Sequence, residues 1–319
     1  MGIGINIAEL CVKEHVRRPL GETMLFGRQT MFFTPRMALE LLDGYGISAA
    51  AGGIGIDRST VAASGDGIRD DEFFRLLGVK SIRVLDRSAY EGADLIHDLN
   101  FPIPDELDRS ADFILDGSTL DNVWNPSVAL TNMARILRPG GRIVSVNMAS
   151  NHHGPYLVMS PTWVLDYFVV NRFADCRVAV TVIRADGAFN TFNLDLDSLN
   201  RNHIAPNFES RHMMGLQFVA EKGHDSTWDR IPTQQQYRPS AEWDEYEDSL
   251  ERIRLVPARR TGFWRSGVSQ MMSAPPGYKF VAPGPASMGT RLRQASSRAA
   301  WLTKALARKF AQKLRSRAH

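Results

Sequence analysis

The stretch Ala129 to Val146, ALTNMARILRPGGRIVSV, constrains the fold of this 319-residue chain more than any other. Ala129, Leu130, Met133, Ile136 and Leu137 recur at helical spacing and run into Arg138-Pro139-Gly140-Gly141. Proline stops the helix, and the paired glycines allow a tight turn. Arg142 to Val146, rich in β-branched side chains, then reads as a strand.

The rest of the chain is laid out around that unit. Ile5 to His15 reads as a helix and Thr23 to Phe33 as a strand broken by Gly27. Thr34-Pro35 is an N-cap and N1 pair opening a helix that ends at Gly44. Residues 45–70 read as an irregular insertion rich in Gly, Ala and Ser, followed by a short helix from Asp70 to Leu77. Strands are predicted at Lys80 to Leu85, Ala93 to Ile96 and Ala111 to Leu115, and after the opening unit at Cys176 to Ile183 and Leu216 to Glu221. Pro161 to Asn171 is a hydrophobic helix, with Trp163, Tyr167, Phe168 and Phe173 as core. Asp166 and Asn171 either cap that helix or face a pocket. Alternating strands and helices closed by two consecutive strands predict an α/β fold: a doubly wound, mostly parallel seven-stranded sheet with an antiparallel edge.

Ligands of such sheets sit beyond the carboxyl ends of the strands. Those ends are Gly27-Arg28-Gln29-Thr30, Asp86-Arg87-Ser88, Asp98-Leu99 and Asp116-Gly117-Ser118, while Asp121 to Pro126, ahead of the helix of the PGG unit, is assigned to structure. Aspartates end strands because they favour turns, but a carboxylate also accepts both hydroxyl hydrogens of a ribose. The loop Asn147 to Tyr156 follows the PGG strand and carries His152 and His153. Either could act as a general base near pH 7, and in extended chain at most one of the two faces a substrate. Tyr156 completes the candidate catalytic set. Glu14-His15 reads as a surface pair or as a cover over the ligand.

The helix–PGG–strand unit resembles the one before the fifth strand of class I S-adenosylmethionine (SAM)-dependent methyltransferases. The resemblance spans roughly residues 20–222 and implies SAM as cofactor. Asp86 would then hold its ribose, Asp98 with Leu99 would flank its adenine, and Asp116-Gly117 would lie near its methionine end. The family's glycine-rich GxGxG loop is replaced here by LFGRQT, in which Gly27 alone matches. Gln29 and Thr30 are expected to supply the hydrogen bonds that the loop backbone otherwise gives, whereas Arg28 would repel a sulfonium if it pointed inward. Residues 87–92 are too few for a helical crossover. A shortened link of this kind occurs in methyltransferase-like proteins from polysaccharide clusters. The alternative places the second strand in the insertion, ending at Asp57. The resemblance implies methyl transfer to an oxygen or nitrogen of a small or saccharide-like acceptor. The alternative is a non-catalytic binding or scaffold protein that has lost SAM binding.

Charge divides the chain. No Asp or Glu follows Glu251, yet fifteen of the 38 Lys and Arg residues do. An acidic body, residues 1–222 with a helical extension at 223–272, thus joins a Pro/Gly linker (273–290) to a basic amphipathic helix (291–319). Its stripe, Leu292, Ala295, Ala299, Leu302, Leu306, Phe310 and Leu314, suits an anionic membrane surface or a partner protein. Nucleic acid explains the apolar stripe less well. No run approaches the roughly 20 apolar residues of a membrane span, and no secretory leader is present. The two cysteines, Cys11 and Cys176, form no zinc or disulfide pattern. A cytoplasmic protein, peripheral at the inner membrane face through its tail, is the expectation, with no metal site.

Overall fold

The computed structural model describes residues 2–49, 53–60, 62–150, 154–184, 188–199, 212–256, 264 and 278–281. In chain order the strands are β1 (Gly2–Ile3), β2 (Thr23–Phe26), β3 (Thr30–Met31), β4 (Ile82–Asp86), β5 (Leu95–Ile96) and β6 (Ala111–Gly117). They continue as β7 (Leu137–Met148), β8 (Asp175–Ile183), β9 (Phe189–Leu194), β10 (Met213–Glu221) and β11 (Tyr278–Phe280). The helices are α1 (Ile5–Arg17), α2 (Pro35–Asp43), α3 (Asp70–Leu76), α4 (Pro126–Ile136), α5 (Pro161–Val170) and α6 (Ser240–Arg254).

The main sheet has nine strands in the order β11-β9-β8-β10-β7-β6-β2-β4-β5. From β7 through β6, β2 and β4 to β5 all pairings are parallel. From β7 outward through β10, β8, β9 and β11 all are antiparallel. The seven expected strands are there, with β10 inserted between β7 and β8 as the antiparallel edge requires. Two outer strands, β9 and β11, extend the sheet beyond the expected seven. Helices cover both faces. Side chains of α1, α2 and α3 form one core with Leu25, Phe113 and Val144, and those of α4, α5 and α6 form the other with Phe26, Ile114 and Phe218.

The opening motif folds as read, with a wider strand. Helix α4 passes into β7 at Leu137, so the turn lies inside the strand. Gly140, at φ +82°, supplies the left-handed residue, and its N–H donates to Lys222 O at 2.6 Å. Thr34 caps α2 through Met37 N at 3.4 Å.

The second strand is β4, paired in parallel with both β2 and β5. Among its described residues the insertion contributes no strand, only an isolated bridge of Ile56 to Ile68. Residues 87–94 link β4 to β5 without a helix. Asp94 stands in for a longer ladder: its Oδ2 accepts from Val84 N at 2.8 Å, and its N–H donates to Val84 O at 3.0 Å.

Glu14 corrects another expectation. It is fully buried at the opposite end of the sheet from the strand carboxyl ends, so it neither covers a ligand nor sits on the surface. Arg17 (2.6 Å), Arg177 (2.7 Å) and Arg142 (3.3 Å) surround its carboxylate. Burial pushes its pKa up, but the arginines, Arg177 foremost, pull it below the usual glutamate range. Asp166 and Asn171 face neither solvent nor pocket. Asp166 accepts from Tyr246 Oη at 2.7 Å and pairs with Arg238 at 3.1 Å, docking α6 on α5. Asn171 is the C-cap of α5, as expected for one of its two readings: its Nδ2 donates to Tyr167 O at 2.9 Å, and it also holds Thr227 and Arg230 against the end of the helix.

Candidate functional site

The parallel strands β2, β4, β5, β6 and β7 end on one side of the sheet, and the order reverses between β2 and β6, where such sheets take ligands. Gly27 leaves β2 at φ +72°. A Cβ there would lie 3.2 Å from Asp86 Oδ2 and 3.6 Å from Thr119 Oγ1, so glycine is required both for the turn and for the approach of these groups. Asp86 ends β4. Its Oδ1 accepts from Ser88 N at 3.2 Å, and its Oδ2 has no hydrogen-bond donor among the described residues.

Gln29 fills the floor beside it. The side chain is 2% exposed. Its Nε2 donates to Phe26 O at 2.8 Å and Gly27 O at 3.1 Å, which fixes the amide's orientation. Oε1 is left buried without a donor. That oxygen lies directly over Gly117, where a Cβ would be 1.7 Å from it. A buried acceptor with no donor is costly, about 1–3 kcal/mol.

The remaining loop residues are pinned. Gln29 N donates to Asp70 Oδ2 at 2.7 Å, and Arg28 pairs with Asp70 at 2.5 Å and Asp71 at 3.6 Å. The guanidinium is thereby paired with the carboxylates at the start of α3, which offset its charge. Burial raises Asp70 to a pKa of about 6 against the pull of Arg28. Thr30 is spent elsewhere: its hydroxyl bonds Thr60 Oγ1 at 2.7 Å, and β3 pairs with β1.

Two expected contacts are corrected in kind. Asp116 is fully buried, and both its oxygens are taken: Oδ2 by Ser145 Oγ (2.6 Å) and Asn147 Nδ2 (3.2 Å), Oδ1 by Thr119 N (2.7 Å) and Leu120 N (3.3 Å). It shapes the end of β6 and is not presented to a ligand, and burial raises its pKa. The Leu99 side chain lies in the core with Leu85, Ile103 and Leu107, so that position offers a ligand its backbone alone. Asp98 stays at the surface, its Oδ1 taken by Asn100 N (3.0 Å) and Nδ2 (2.7 Å). Asn100's N–H holds its pKa below the usual range, with help from Arg87.

His152 and His153 lie outside the described residues. Tyr156 is 71% exposed and stands edge-to-face on Trp124, 6.3 Å between ring centres.

Sequence reasoning placed Ser118 at a strand end without a role and assigned Asp121 to structure. Ser118 has φ +73°, an uncommon backbone state for a non-glycine residue and one that clusters at functional sites. Its hydroxyl donates to both oxygens of Asp121 (2.6 and 2.7 Å), which also accept from Met148 N at 2.7 Å. Burial pushes Asp121 up to about 6. The available signal was the density of small polar residues in Asp116-Gly117-Ser118-Thr119-Leu120-Asp121. Among the described residues no three His, Cys, Asp or Glu side chains are grouped to hold a metal ion.

Residues 86–145 match the methyltransferase domain family, a span that opens on Asp86 and closes just past the PGG turn. No curated protein matches the chain. Among solved structures, a SAM-dependent methyltransferase of Thermotoga maritima is similar at 18% identity, over 68% of this chain and 89% of that one, with a TM-score of 0.33. The Burkholderia thailandensis 1,6-didemethyltoxoflavin-N1-methyltransferase, solved with 1,6-didemethyltoxoflavin and S-adenosylhomocysteine, is similar at 14% identity, over 68% and 76%, with a TM-score of 0.29. The [4+2]-cyclase SpnF is similar at 12% identity, over 67% and 80%, with a TM-score of 0.33.

Proposed function

We propose that this class I methyltransferase-like chain binds SAM across the ends of β2, β4 and β6 and transfers a methyl group to an oxygen or nitrogen of a small or saccharide-like acceptor. Asp86 carries the reading. It ends the strand next to the central β2, faces the Cβ-less Gly27, and keeps Oδ2 without a donor among the described residues. A carboxylate so placed accepts the paired hydroxyls of a ribose.

Bound SAM would supply an electrophilic methyl on a cationic sulfur; the rest of the work falls to the chain. Gln29 Oε1 would accept from the ammonium of the methionine moiety, in place of the acid the family places there. Gly27 leaves room for the ligand to approach the backbone. His152 or His153, on the acceptor side, would take the acceptor's proton near pH 7. Rate enhancement would rest chiefly on in-line positioning of acceptor and methyl.

A second reading, a non-catalytic binding or scaffold protein on the same fold, is favoured by two observations: Asp116 is saturated, and Gln29 already sits on Gly117. Calorimetric titration with S-adenosylhomocysteine separates the two. The first reading expects saturable binding to the wild type and its loss in Asp86→Ala. A folded wild type that binds nothing leaves the second reading standing.

The tail, residues 291–319, lies outside the described residues. Its charge and apolar stripe support contact with an anionic membrane surface or a partner protein, and a cytoplasmic protein held at the inner membrane face. No helix among the described residues is long and apolar enough to cross a membrane.

A further inference from the structure

Two large aromatic side chains stand exposed at the end of the sheet where the parallel strands finish. Trp124, in the loop after β6, is 77% exposed, and Tyr156, in the loop after β7, is 71% exposed. Their rings meet at 78°, so the indole and the phenol form a corner and not a parallel slot. The corner is held from behind. The carbonyl of buried Asp121 accepts from Tyr156 N (3.0 Å) and Leu157 N (3.1 Å), while its carboxylate holds Ser118 and Met148 N. On the other side Asn125 N donates to Asn100 Oδ1 at 2.8 Å, and Asn100 in turn holds Asp98. The aromatic pair is therefore tied to the loops on both flanks of the candidate cofactor site.

The two loops that carry it are polar and poor in charge, the nearest surface ion pair being Asp98 with Arg87 beyond Asn100. Between Gly117 and Ala134 the sole ionisable side chain is the buried Asp121, and between Val146 and Leu165 there is no Asp, Glu, Lys or Arg. Asn122 and Asn125 flank Val123-Trp124 in the same loop and are exposed, their Nδ2 groups donating to Ser118 O (2.6 Å) and Asn100 O (3.3 Å). Among their described residues these two loops offer a phosphorylated or strongly charged ligand no exposed counter-ion. A neutral pyranoside fits the corner: its C–H face lies on one ring, its edge meets the other, and carboxamides and the Tyr156 hydroxyl pair with its hydroxyls.

The geometry points to Trp124 and Tyr156 as the acceptor platform, with a neutral pyranoside as the acceptor class. This deepens the methyl-transfer reading and rests on it, because the platform's value to the protein is to present a sugar hydroxyl to the cofactor's methyl. The test is saturation-transfer NMR with methyl α-D-glucopyranoside and its galacto and manno epimers, with neutral lumichrome as the planar control. It is run beside S-adenosylhomocysteine calorimetry on the wild type, Trp124→Ala and Trp124→Phe. At least one glycoside is expected to bind the wild type and Trp124→Phe, and to bind Trp124→Ala about tenfold more weakly. Affinity for S-adenosylhomocysteine should be equal in all three. Glycoside binding without S-adenosylhomocysteine binding would sustain the platform and overturn the methyl-transfer reading. S-adenosylhomocysteine binding with no glycoside, with lumichrome alone, or with glycoside affinity untouched by Trp124→Ala, would overturn the platform.

Discussion

Gln29 is where the two functional readings make opposite demands. Its buried Oε1 is either an acceptor waiting for an ammonium or a plug seated on Gly117. Truncation separates them: Gln29→Ala should weaken S-adenosylhomocysteine binding about tenfold if the oxygen is an acceptor, as one hydrogen bond to a charged group requires, and should strengthen it if the side chain is a plug. Calorimetry on the wild type and Gln29→Ala reads the sign. Glu14 is a structural counterpart at the far end of the sheet. Its pKa lies below the ordinary 4.5 in the folded protein, so its contribution to stability is full above that value and is lost as pH falls through the folded pKa. Glu14→Gln should lower stability at pH 7 by about 3 kcal/mol, since Arg142 and Arg177 lose their shared carboxylate. Thermal melts across pH 3 to 7 should show the mutant's deficit shrinking toward the acid end; a deficit constant with pH would refute the ion-pair account.

At the scale of elements, the link from β4 to β5 is the most unusual piece of chain. A two-residue edge strand reached without a crossover helix has few ladder bonds of its own, and Asp94 supplies two contacts to Val84 in their place. Asp94→Ala should cost about 1 kcal/mol in overall stability. It should also raise amide exchange in residues 94–98 ahead of the rest of the sheet, by hydrogen-exchange mass spectrometry; unchanged exchange there would mean that the loop is held by other contacts. The same elements show what the sequence made legible. β-branched strands ending in aspartate, the Thr34-Pro35 cap and the PGG turn each carry local chemistry that names its own conformation, so seven strands and the helices could be placed within a few residues. β9 (FNTFNL) has Phe189, Phe192 and Leu194 out of alternation, and β11 and β1 are three and two residues long. Such segments become strands through the partner they pair with, and one-dimensional reading cannot see a partner. The site divides in the same way. The position of Asp86 followed from strand order, whereas the seats of Asp116 and Leu99 are set by packing across the sheet. The pairing of Ser118 with Asp121 and Met148 N shows only once β6 and β7 are side by side.

At the scale of the whole molecule, the acidic body and the basic segment after Glu251 can attract each other as readily as either attracts an outside partner. The membrane and partner-protein readings of residues 291–319 diverge in what they need. An anionic bilayer accepts both the nine Lys and Arg of that segment and its apolar stripe. Attraction to the bilayer is screened by salt over about 10 Å at 0.1 M, while insertion of the stripe is not. Co-sedimentation with vesicles containing phosphatidylserine should therefore recover the full chain and leave a chain lacking residues 288–319 in the supernatant, with part of the binding persisting at high salt. Neutral phosphatidylcholine vesicles should recover far less of the full chain. Equal recovery of the two chains would exclude the membrane and leave a protein partner, and binding abolished by salt would mean that the charge acts without the stripe. The result also bears on the acceptor, because a glycolipid held at a membrane would present a neutral sugar ring to a catalytic body tethered at the same surface.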